Sequence, residues 1–544
     1  MNMPAPVHVA LRFALLVVAM LVTLLLKATV NYKRLLLLII FFPLLASAQS
    51  PTLVQHVTCS DSRNTGNQQS NTPVYKCPLP EPSQAGNAIV VGVKSFDTGS
   101  FSVTDDKGNS YGSPAVSVVD NNSAYVAIYV ATNVAAGTRM ISFNQTSANA
   151  DFAEVTASEF YNVATSSAVS TSNCNGNTGT TGTSITAGSI TPSVPGDLLW
   201  QYAVNTGGGG SSPNTVSSFA AGSQSSITWQ LLGTSLHDGT ATQAGVYGTT
   251  TAINPTFSSG SSEAWTSCVV ALKAASAGAA PTNTFRIVHM LHEQDCAAGA
   301  GRCPSNSPAT IQFPSSGNLI ILADASGATP IGSITSTPTN TWSSTGTMAG
   351  SSSNTAGSQI YYASNATTSN SLTLTVNFSG SLADTTLMMY DVTGAATSAF
   401  DVDSCSSGAY ANASCGANQT SEATSFTTCS SCLTPAGVSG GSELIIGAAQ
   451  WNWGTATAVT TTPSGGLFDA ATYTGNSVNG PEYVDQNGGW FHLYTASTTA
   501  ISYTYTMSLS QAEGEWAGRV AAFKSANSSA QQPEPPTQLT ATVQ

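Results

Sequence analysis

Two long stretches of the chain repeat one another, and this duplication restricts the fold to a pair of like modules. Gly86-Asn87-Ala88-Ile89-Val90 is echoed by Gly317-Asn318-Leu319-Ile320-Ile321 at an offset of 231. Val103 to Tyr111 (VTDDKGNSY) meets Ile334 to Trp342 (ITSTPTNTW) at the same 231. Ile128 to Asn133 meets Ile360 to Asn365 at 232, and Asp197-Leu198-Leu199 meets Glu443-Leu444-Ile445 at 246. Trp265 with Ala271-Leu272-Lys273 meets Trp516 with Ala522-Phe523-Lys524 at 251. Each copy is therefore a control for the other: a group present once only is not shared chemistry.

The repeated segments read as strands. Only 8% of residues are charged, against about 25% in an ordinary soluble domain. Ser, Thr, Asn and Gly replace the Lys and Glu that the wet faces of helices need, and Val, Ile, Thr and Tyr suit a pleated sheet. Ala88–Val93, Ala124–Ala131, Leu198–Val204 and Val269–Leu272 are short apolar or alternating runs bounded by turn residues, the pattern of strands. Asp151–Val163 comes nearest to a helix, but its repeat, Leu382–Ala395, reads as strand. The expected class is all-β, with two tandem antiparallel β-sandwich modules of immunoglobulin-like or jelly-roll-like type. Their expected limits are 51–273 and 284–525, joined by a small-residue linker at 274–283.

The first 48 residues are a hydrophobic leader. Lys33-Arg34, the apolar run Leu35 to Ala46 and the Ala46-Ser47-Ala48 cleavage pattern form a secretory signal, so a mature chain starting at Gln49 is expected. An earlier apolar run, Phe13 to Leu26, is short for a membrane span. Translation from Val30 would leave an ordinary signal, whereas a retained leader would be an anchor. The leader holds four of the 14 basic residues and no acid, so the mature chain sets 27 acids against 10 bases, a net charge near −17. Phosphate backbones are bound by Lys and Arg, so nucleic acid is excluded as a partner and an anionic membrane surface is disfavoured. All ten cysteines follow the leader, and an even number in an exported chain reads as disulfides. Cys59 and Cys77 precede the first Gly-Asn strand, as Cys296 and Cys303 precede the second, so the expected pairs are Cys59–Cys77 and Cys296–Cys303. Cys405, Cys415, Cys429 and Cys432 fall in an insertion peculiar to the second copy, expected to be a disulfide cluster, and Cys174 and Cys268 are left over.

The body resembles repeated secreted bacterial β-sandwich modules. The likeness rests on the Gly-Asn-x-Leu-Val-Val lead-in, the Asp-x-x-Gly-Asn-x-Tyr turn (Asp105 to Tyr111), the Tyr-x-Ala-x-Asn strand end and the terminal Trp…Ala-Phe-Lys strand. The second copy lacks the Asp and Gly of the turn. Such modules occur in large exported surface proteins without an established activity, so the resemblance implies location and architecture. After the Ser/Gln/Pro stretch that begins the 526–544 tail, Pro536 to Val543 resembles the opening strand of a fibronectin type III domain.

Several motifs suggest chemistry. Gly108-Asn109-Ser110-Tyr111-Gly112 matches a nucleophile elbow, but a strand-like run follows where that motif needs a helix, and Thr341 replaces Ser110 in the repeat. A hairpin turn is the expected reading. Asp105, Asp106 and Asn109 offer oxygens to Ca²⁺, yet only the Asn persists in the second copy, as Asn340, which favours turn geometry. His289 and His292 flank a zinc-like pattern with Glu293, but residues three apart on a strand face opposite sides. Cys429 and Cys432 have redox-motif spacing without the helix such motifs occupy. Glu159 and Asp391 are register-equivalent acids, as are Asp197 and Glu443; a glycosidase would need two carboxylates about 5 to 9.5 Å apart.

Trp451, Trp453, Trp490 and Tyr494 are the carbohydrate-binding candidates, because flat aromatics beside polar groups suit sugar faces; core packing is the competing use. Trp265 and Trp516, equivalent in both copies, are expected in the core. No catalytic residue, metal or cofactor is assigned. The functional expectation is an exported, non-enzymatic structural or adhesive protein of the bacterial cell exterior, with an extracellular polysaccharide or surface partner. The alternatives are a carbohydrate-binding component of a polysaccharide-degrading system and a glycosidase. N-terminal sequencing of the secreted protein is expected to begin at Gln49; a start within residues 1–48 would show a retained leader.

Overall fold

The computed structural model describes residues 49–60, 74–96, 99–146, 153–176, 181–207, 215–294, 309–326, 329–346, 348–350, 357–380, 385–403, 443–452, 456–462, 486–495, 504–509 and 515–526. The expected signal at 1–48, the cysteines at 296, 303, 405, 415, 429 and 432, Trp453 and the tail beyond 526 lie outside them. The described residues form strands and turns with no helix. The protein is all-β.

The first copy supplies β1 (Thr52–Ser60), β2 (Val74–Pro78), β3 (Ala88–Ser95), β4 (Phe101–Asp105), β5 (Val116–Val119), β6 (Tyr125–Ala131), β7 (Met140–Gln145), β8 (Glu154–Tyr161), β9 (Val169–Asn175), β10 (Thr181–Thr186), β11 (Asp197–Asn205), β12 (Phe219–Ala220), β13 (Gln230–Ser235), β14 (Thr240–Tyr247) and β15 (Thr256–Leu272). The second supplies β16 (Arg286–Gln294), β17 (Ala309–Ser315), β18 (Leu319–Ser326), β19 (Ile331–Thr337), β20 (Ser343–Ser344), β21 (Ala349–Gly350), β22 (Gly357–Ser364), β23 (Ser369–Phe378), β24 (Thr385–Thr393), β25 (Ala395–Asp403), β26 (Glu443–Asn452), β27 (Ala456–Thr462), β28 (Gln486–Thr495), β29 (Thr504–Leu509) and β30 (Glu515–Ser525). The helix-like stretch near Asp151 is strand β8, as its repeat β24 indicated.

The two copies share one sheet, in the order β20-β22-β18-β24-β16-β1-β8-β3-β6-β5. The order is a palindrome of equivalent strands about the β16–β1 junction. There His56 to Cys59 pairs in parallel with His289 to His292, and every other pairing among the described strands is antiparallel. Equivalent strands running parallel are related by a two-fold rotation about an axis along the strands, and such a rotation exchanges the faces of the sheet. The covering layers alternate accordingly. On one face a continuous core joins Val57, Ile89 and Val91 to the small sheet β2-β7-β4, and Leu319, Ile321 and Tyr390 to the larger sheet β25-β30-β26-β28. On the other, Val90, Ile128 and Phe160 pack on β11, β14 and β15, while Ile320, Leu322 and Met389 pack on the small sheet β17-β23-β19.

Burial on both faces explains the sequence pattern. All eight residues of β3 (AIVVGVKS) are buried, so its apolar run does not alternate. Outer strand β23 (SNSLTLTVNF) is buried at every second position from Leu372 onward, the mark of a sheet with one wet face. The shared Gly of the Gly-Asn lead-in has φ of +80° at Gly86 and +91° at Gly317, a region in which glycine lacks the Cβ penalty. The shared Asn ending Tyr-x-Ala-x-Asn is also left-handed, at +54° (Asn133) and +52° (Asn365), a conformation that Asn tolerates. The 274–283 linker packs along the first copy: the Asn162 amide donates to Ala277 O at 2.7 Å and that of Ala275 to Asn162 O at 2.9 Å.

Cys59–Cys77 forms as expected. Cys174 and Cys268, left unpaired in the sequence reading, also form a disulfide, because β9 and β15 set them directly opposite one another. Cys59 faces Val155 on β8 and Cys77 faces Ile141 on β7. The corresponding positions of the second copy hold Glu293, opposite Leu387, and Ile311, opposite Leu374. The first disulfide thus has no counterpart at its own positions. Peptide mapping without reductant is expected to recover both described pairs.

Gly92 of β3 lets the overlying sheet lie close: a Cβ there would come within 2.9 Å of both Thr156 Cγ2 and the Trp200 ring. Gly92→Val is expected to destabilise the fold by about 1–3 kcal/mol through overpacking, read as a lower midpoint in chemical denaturation.

Candidate functional site

One group of ionisable side chains lies where the copies meet. Burying a carboxyl requires hydrogen-bond donors, and Glu159 of β8 has three. Its Oε1 accepts the Gln84 amide at 2.7 Å and Asn87 Nδ2 at 2.6 Å, and Oε2 accepts Gln55 Nε2. Gln55 in turn bridges to Glu81, accepting its amide at 2.6 Å and donating to its carbonyl at 2.9 Å. From the second copy, the Ile287 amide donates to Glu81 Oε1 at 2.9 Å, and the Tyr494 hydroxyl donates to the same oxygen. Arg286 returns the link by donating to Val54 O, and His492 Nε2 donates to Pro80 O at 2.6 Å.

Desolvation dominates the electrostatics of this seam. Burial raises Glu81 from an ordinary 4.5 to about 7, opposed by the bonds from Tyr494 and Ile287 and by Arg286, and reinforced by Glu159. Burial likewise raises Glu159, against the pull of its donors, and lowers His492 to about 4. Desolvation thus favours the neutral form of Glu81, whose carboxyl meets donors from the second copy.

The register-equivalent acids are not brought together. Asp391 of β24 accepts His289 Nδ1 at 2.8 Å, the Ser316 hydroxyl at 2.8 Å and the Ser316 amide. Its His289 and Phe313 neighbours lie on the face opposite to the Glu159 seam. Three strand spacings in the order β24-β16-β1-β8 put the two backbones about 14 Å apart, beyond glycosidase range. Asp197 and Glu443 belong to covering sheets on opposite faces. His289 and His292 diverge as strand geometry requires, one toward Phe313 and the other toward Trp490. Among the described residues, no three His, Cys, Asp or Glu groups gather as a metal site.

The Asp105 loop is bonded within itself. Asp105 accepts the Lys107 and Asn109 amides at 3.0 Å each, Asn109 Nδ2 at 2.8 Å and the Tyr111 hydroxyl at 3.1 Å. Ser336 takes the same position in the second copy, accepting the Asn340 amide at 3.0 Å. The shared Asn pins the loop to the next turn, Asn109 Oδ1 accepting the Ala135 amide at 2.8 Å and Asn340 Oδ1 that of Thr367 at 2.7 Å. The hairpin expectation is corrected, because β4 pairs with β7 and β5 with β6; the loop crosses between sheets.

The aromatic candidates separate. Trp490 is 1% exposed, its indole donates to Ala323 O at 3.3 Å, and it meets the His292 ring edge-on. It is a core residue, not a sugar platform. Tyr494, half-buried, gives its hydroxyl to Glu81. Trp490, His492 and Tyr494 alternate along β28 and share one face, but that face is turned inward onto the seam. Trp451 pairs with Trp516 across β26 and β30; their side chains, like Trp453, lie outside the described residues. Trp265 is half-buried, edge-on to Phe219 at 5.7 Å.

Sequence reasoning passed over Gln55, Glu81 and Arg286. With so few charges in the chain, a Glu and an Arg placed close to strands β2 and β16 were the available signal. A groove of ≈ 710 Å³ opens elsewhere, lined by Leu53, Phe160, Leu198, Ile227, Leu232 and Val246 together with Ser and Thr, and among the described residues no ionisable side chain lines it.

No family model matches the chain, and no curated protein is similar to it. Among solved structures it aligns with infectious bursal disease virus, Gt strain, at 10% identity over 64% of this chain and 78% of that one, with a TM-score of 0.09. T=1 particles derived from infectious bursal virus align at 11% over 63% and 78%, with a TM-score of 0.08. Similarity at that level carries no argument about fold or function.

The folded chain holds Glu81 neutral to about pH 7, whereas the unfolded one ionises it near 4.5. Its contribution to stability is complete below about 4.5 and is lost as pH rises through 7. The thermal midpoint is therefore expected to fall between pH 5 and 8. Glu81→Gln should flatten part of that slope, while Glu159 and Glu443, also raised, keep the remainder.

Proposed function

We propose that this is an exported, non-enzymatic structural or adhesive protein of the bacterial cell exterior. The observation that carries the reading is that, among the described residues, the groove lies apart from the buried acids. The groove has no ionisable lining, and the enclosed acids Glu81, Glu159 and Asp391 bind the donors that join strands and copies. Disulfides in the first copy suit an oxidising exterior. Carbohydrate contact, if the protein makes it, falls to Trp451 and Trp453, since Trp490 and Tyr494 are engaged inside.

The test is retention of the mature protein on a panel of insoluble polysaccharides, beside a Trp451→Ala/Trp453→Ala variant and an assay for released sugar. Retention without sugar release, lost in a still-folded variant, is the adhesive outcome. No retention and no release leaves the structural role. Sugar release that Glu159→Gln or Asp391→Asn abolishes would overturn the reading in favour of a glycosidase.

A further inference from the structure

The shared sheet ends differently in the two copies. Its order runs β20-β22-β18-β24-β16-β1-β8-β3-β6-β5, so β5 of the first copy and β20 of the second hold equivalent ends. At the second end the outer edge is divided between β20 and β21, two residues each, and very short edge strands are poor templates for further pairing. β5 (VSVV) is continuous over four residues, and among the described residues no strand pairs with its outer side. The register fixes which main-chain groups face outward. Val116 lies opposite Ile128 and Val118 opposite Val126, and Asp120 N, next in the same register, donates to Ala124 O at 3.0 Å. Bonded pairs recur at every second residue of an antiparallel pair, so Val116, Val118 and Asp120 bond inward to β6. The N–H and C=O groups of Ser117 and Val119 therefore point out from the edge of the sheet. Both residues are exposed, and Val119, at 63%, is the most exposed large apolar side chain among the described residues.

We propose that β5 pairs antiparallel with β5 of a second copy of this chain, carrying the shared sheet through a two-fold dimer. With the axis normal to the sheet and beside Val118, Ser117 of each strand meets Val119 of the other. All four outward N–H groups of the two strands then find carbonyl acceptors, and Val118 faces its own counterpart across the axis. Charge and continuity argue for a second copy as the partner. β5 has no ionisable side chain. The adjoining acid, Asp120, accepts the Asn122 and Ala124 amides and the Thr266 hydroxyl within its own molecule. A chain with a net charge near −17 thus meets its own image along this strip without like charges directly opposed, the arrangement that destabilises paired strands. β5 also lacks the Lys or Pro that blunts a free edge. The contact repeats the way the chain joins its own halves, through equivalent strands side by side at the edge of this same sheet. Four residues per partner make a small interface, so the dimer is reversible and forms as concentration rises.

Analytical ultracentrifugation of the secreted protein over a range of concentrations tests the pairing. The expected result is a reversible shift from one chain to two and no further, because β5 against β5 closes a two-fold assembly. Ser117→Pro removes an outward N–H that the bonding to β6 does not use, a position at which edge strands accept proline. Two of the four intermolecular bonds go with it, and association should weaken about tenfold or more. Ser344→Pro is the control at the other end of the sheet. Thr345 N donates inward to Ile360 O at 2.9 Å and Ser344 lies opposite Tyr361, so the Ser344 main chain faces outward, and the dimer should be unchanged. Val118→Cys should yield a disulfide-linked dimer on oxidation where the wild type yields none, since the two Cα atoms at this position would be about 4.5 Å apart. A single chain at every concentration would overturn the proposal. So would growth beyond two chains with loss of association in Ser344→Pro, the result of head-to-tail pairing. A dimer that Ser117→Pro leaves intact and Val118→Cys does not cross-link would place the contact on another surface. The wild-type series and the Val118→Cys cross-link decide even where a proline variant fails to fold.

Discussion

The parallel pairing of β1 with β16 is the contact on which the rest of the structure depends. It is the one place where equivalent strands of the two copies touch edge to edge. Parallel pairing of equivalents imposes a two-fold axis along the strands, so each copy presents to a given side what the other presents to the opposite side. A small sheet and a larger sheet consequently lie side by side on both faces of the shared sheet. Without this pairing β1 and β16 would each expose an unpaired edge, a liability that folds cover or blunt. The copies are therefore halves of one body rather than beads on a linker, and the 274–283 segment is itself hydrogen-bonded to the first copy.

The seam follows from that geometry. Glu159 and Asp391 are buried acids one strand in from the junction, and each is satisfied by donors from the loop before the next strand: Gln84 and Asn87 in one copy, Ser316 in the other. Glu81 is satisfied across the junction by Ile287 and Tyr494. A carboxyl so enclosed favours its neutral form, because desolvation outweighs the hydrogen bonds that favour the charge. The network joins the copies and, by the same measure, makes the junction sensitive to pH.

Reinforcement is unevenly distributed between the copies. The first has two disulfides across its layers and strands, together with buried Lys94, whose Nζ donates to Asp238 O at 2.8 Å. In the second, Glu293 and Ile311 stand where Cys59 and Cys77 pair, and Ala325 where Lys94 lies. The duplication thus preserved the backbone plan and left the covalent and polar fastening free to diverge.

The sequence alone determined the period, the strand character, the pairing of Cys59 with Cys77 and the turn role of Asn109 and Asn340, because these rest on local preference and on comparison of the copies. Other features were decided by tertiary structure. Trp490 and Tyr494 read as surface aromatics beside polar neighbours, yet the strand turns that face inward, and polarity along a strand does not say which face is wet. Cys174 and Cys268 are 94 residues apart, and only the pairing of β9 with β15 makes them neighbours. Glu81 and Arg286 belong to different copies, so their meeting depends on how the copies join. A repeat specifies each copy's internal contacts twice and contains nothing about the contact between them; that contact, here a single parallel strand pair, exists only once the chain has folded.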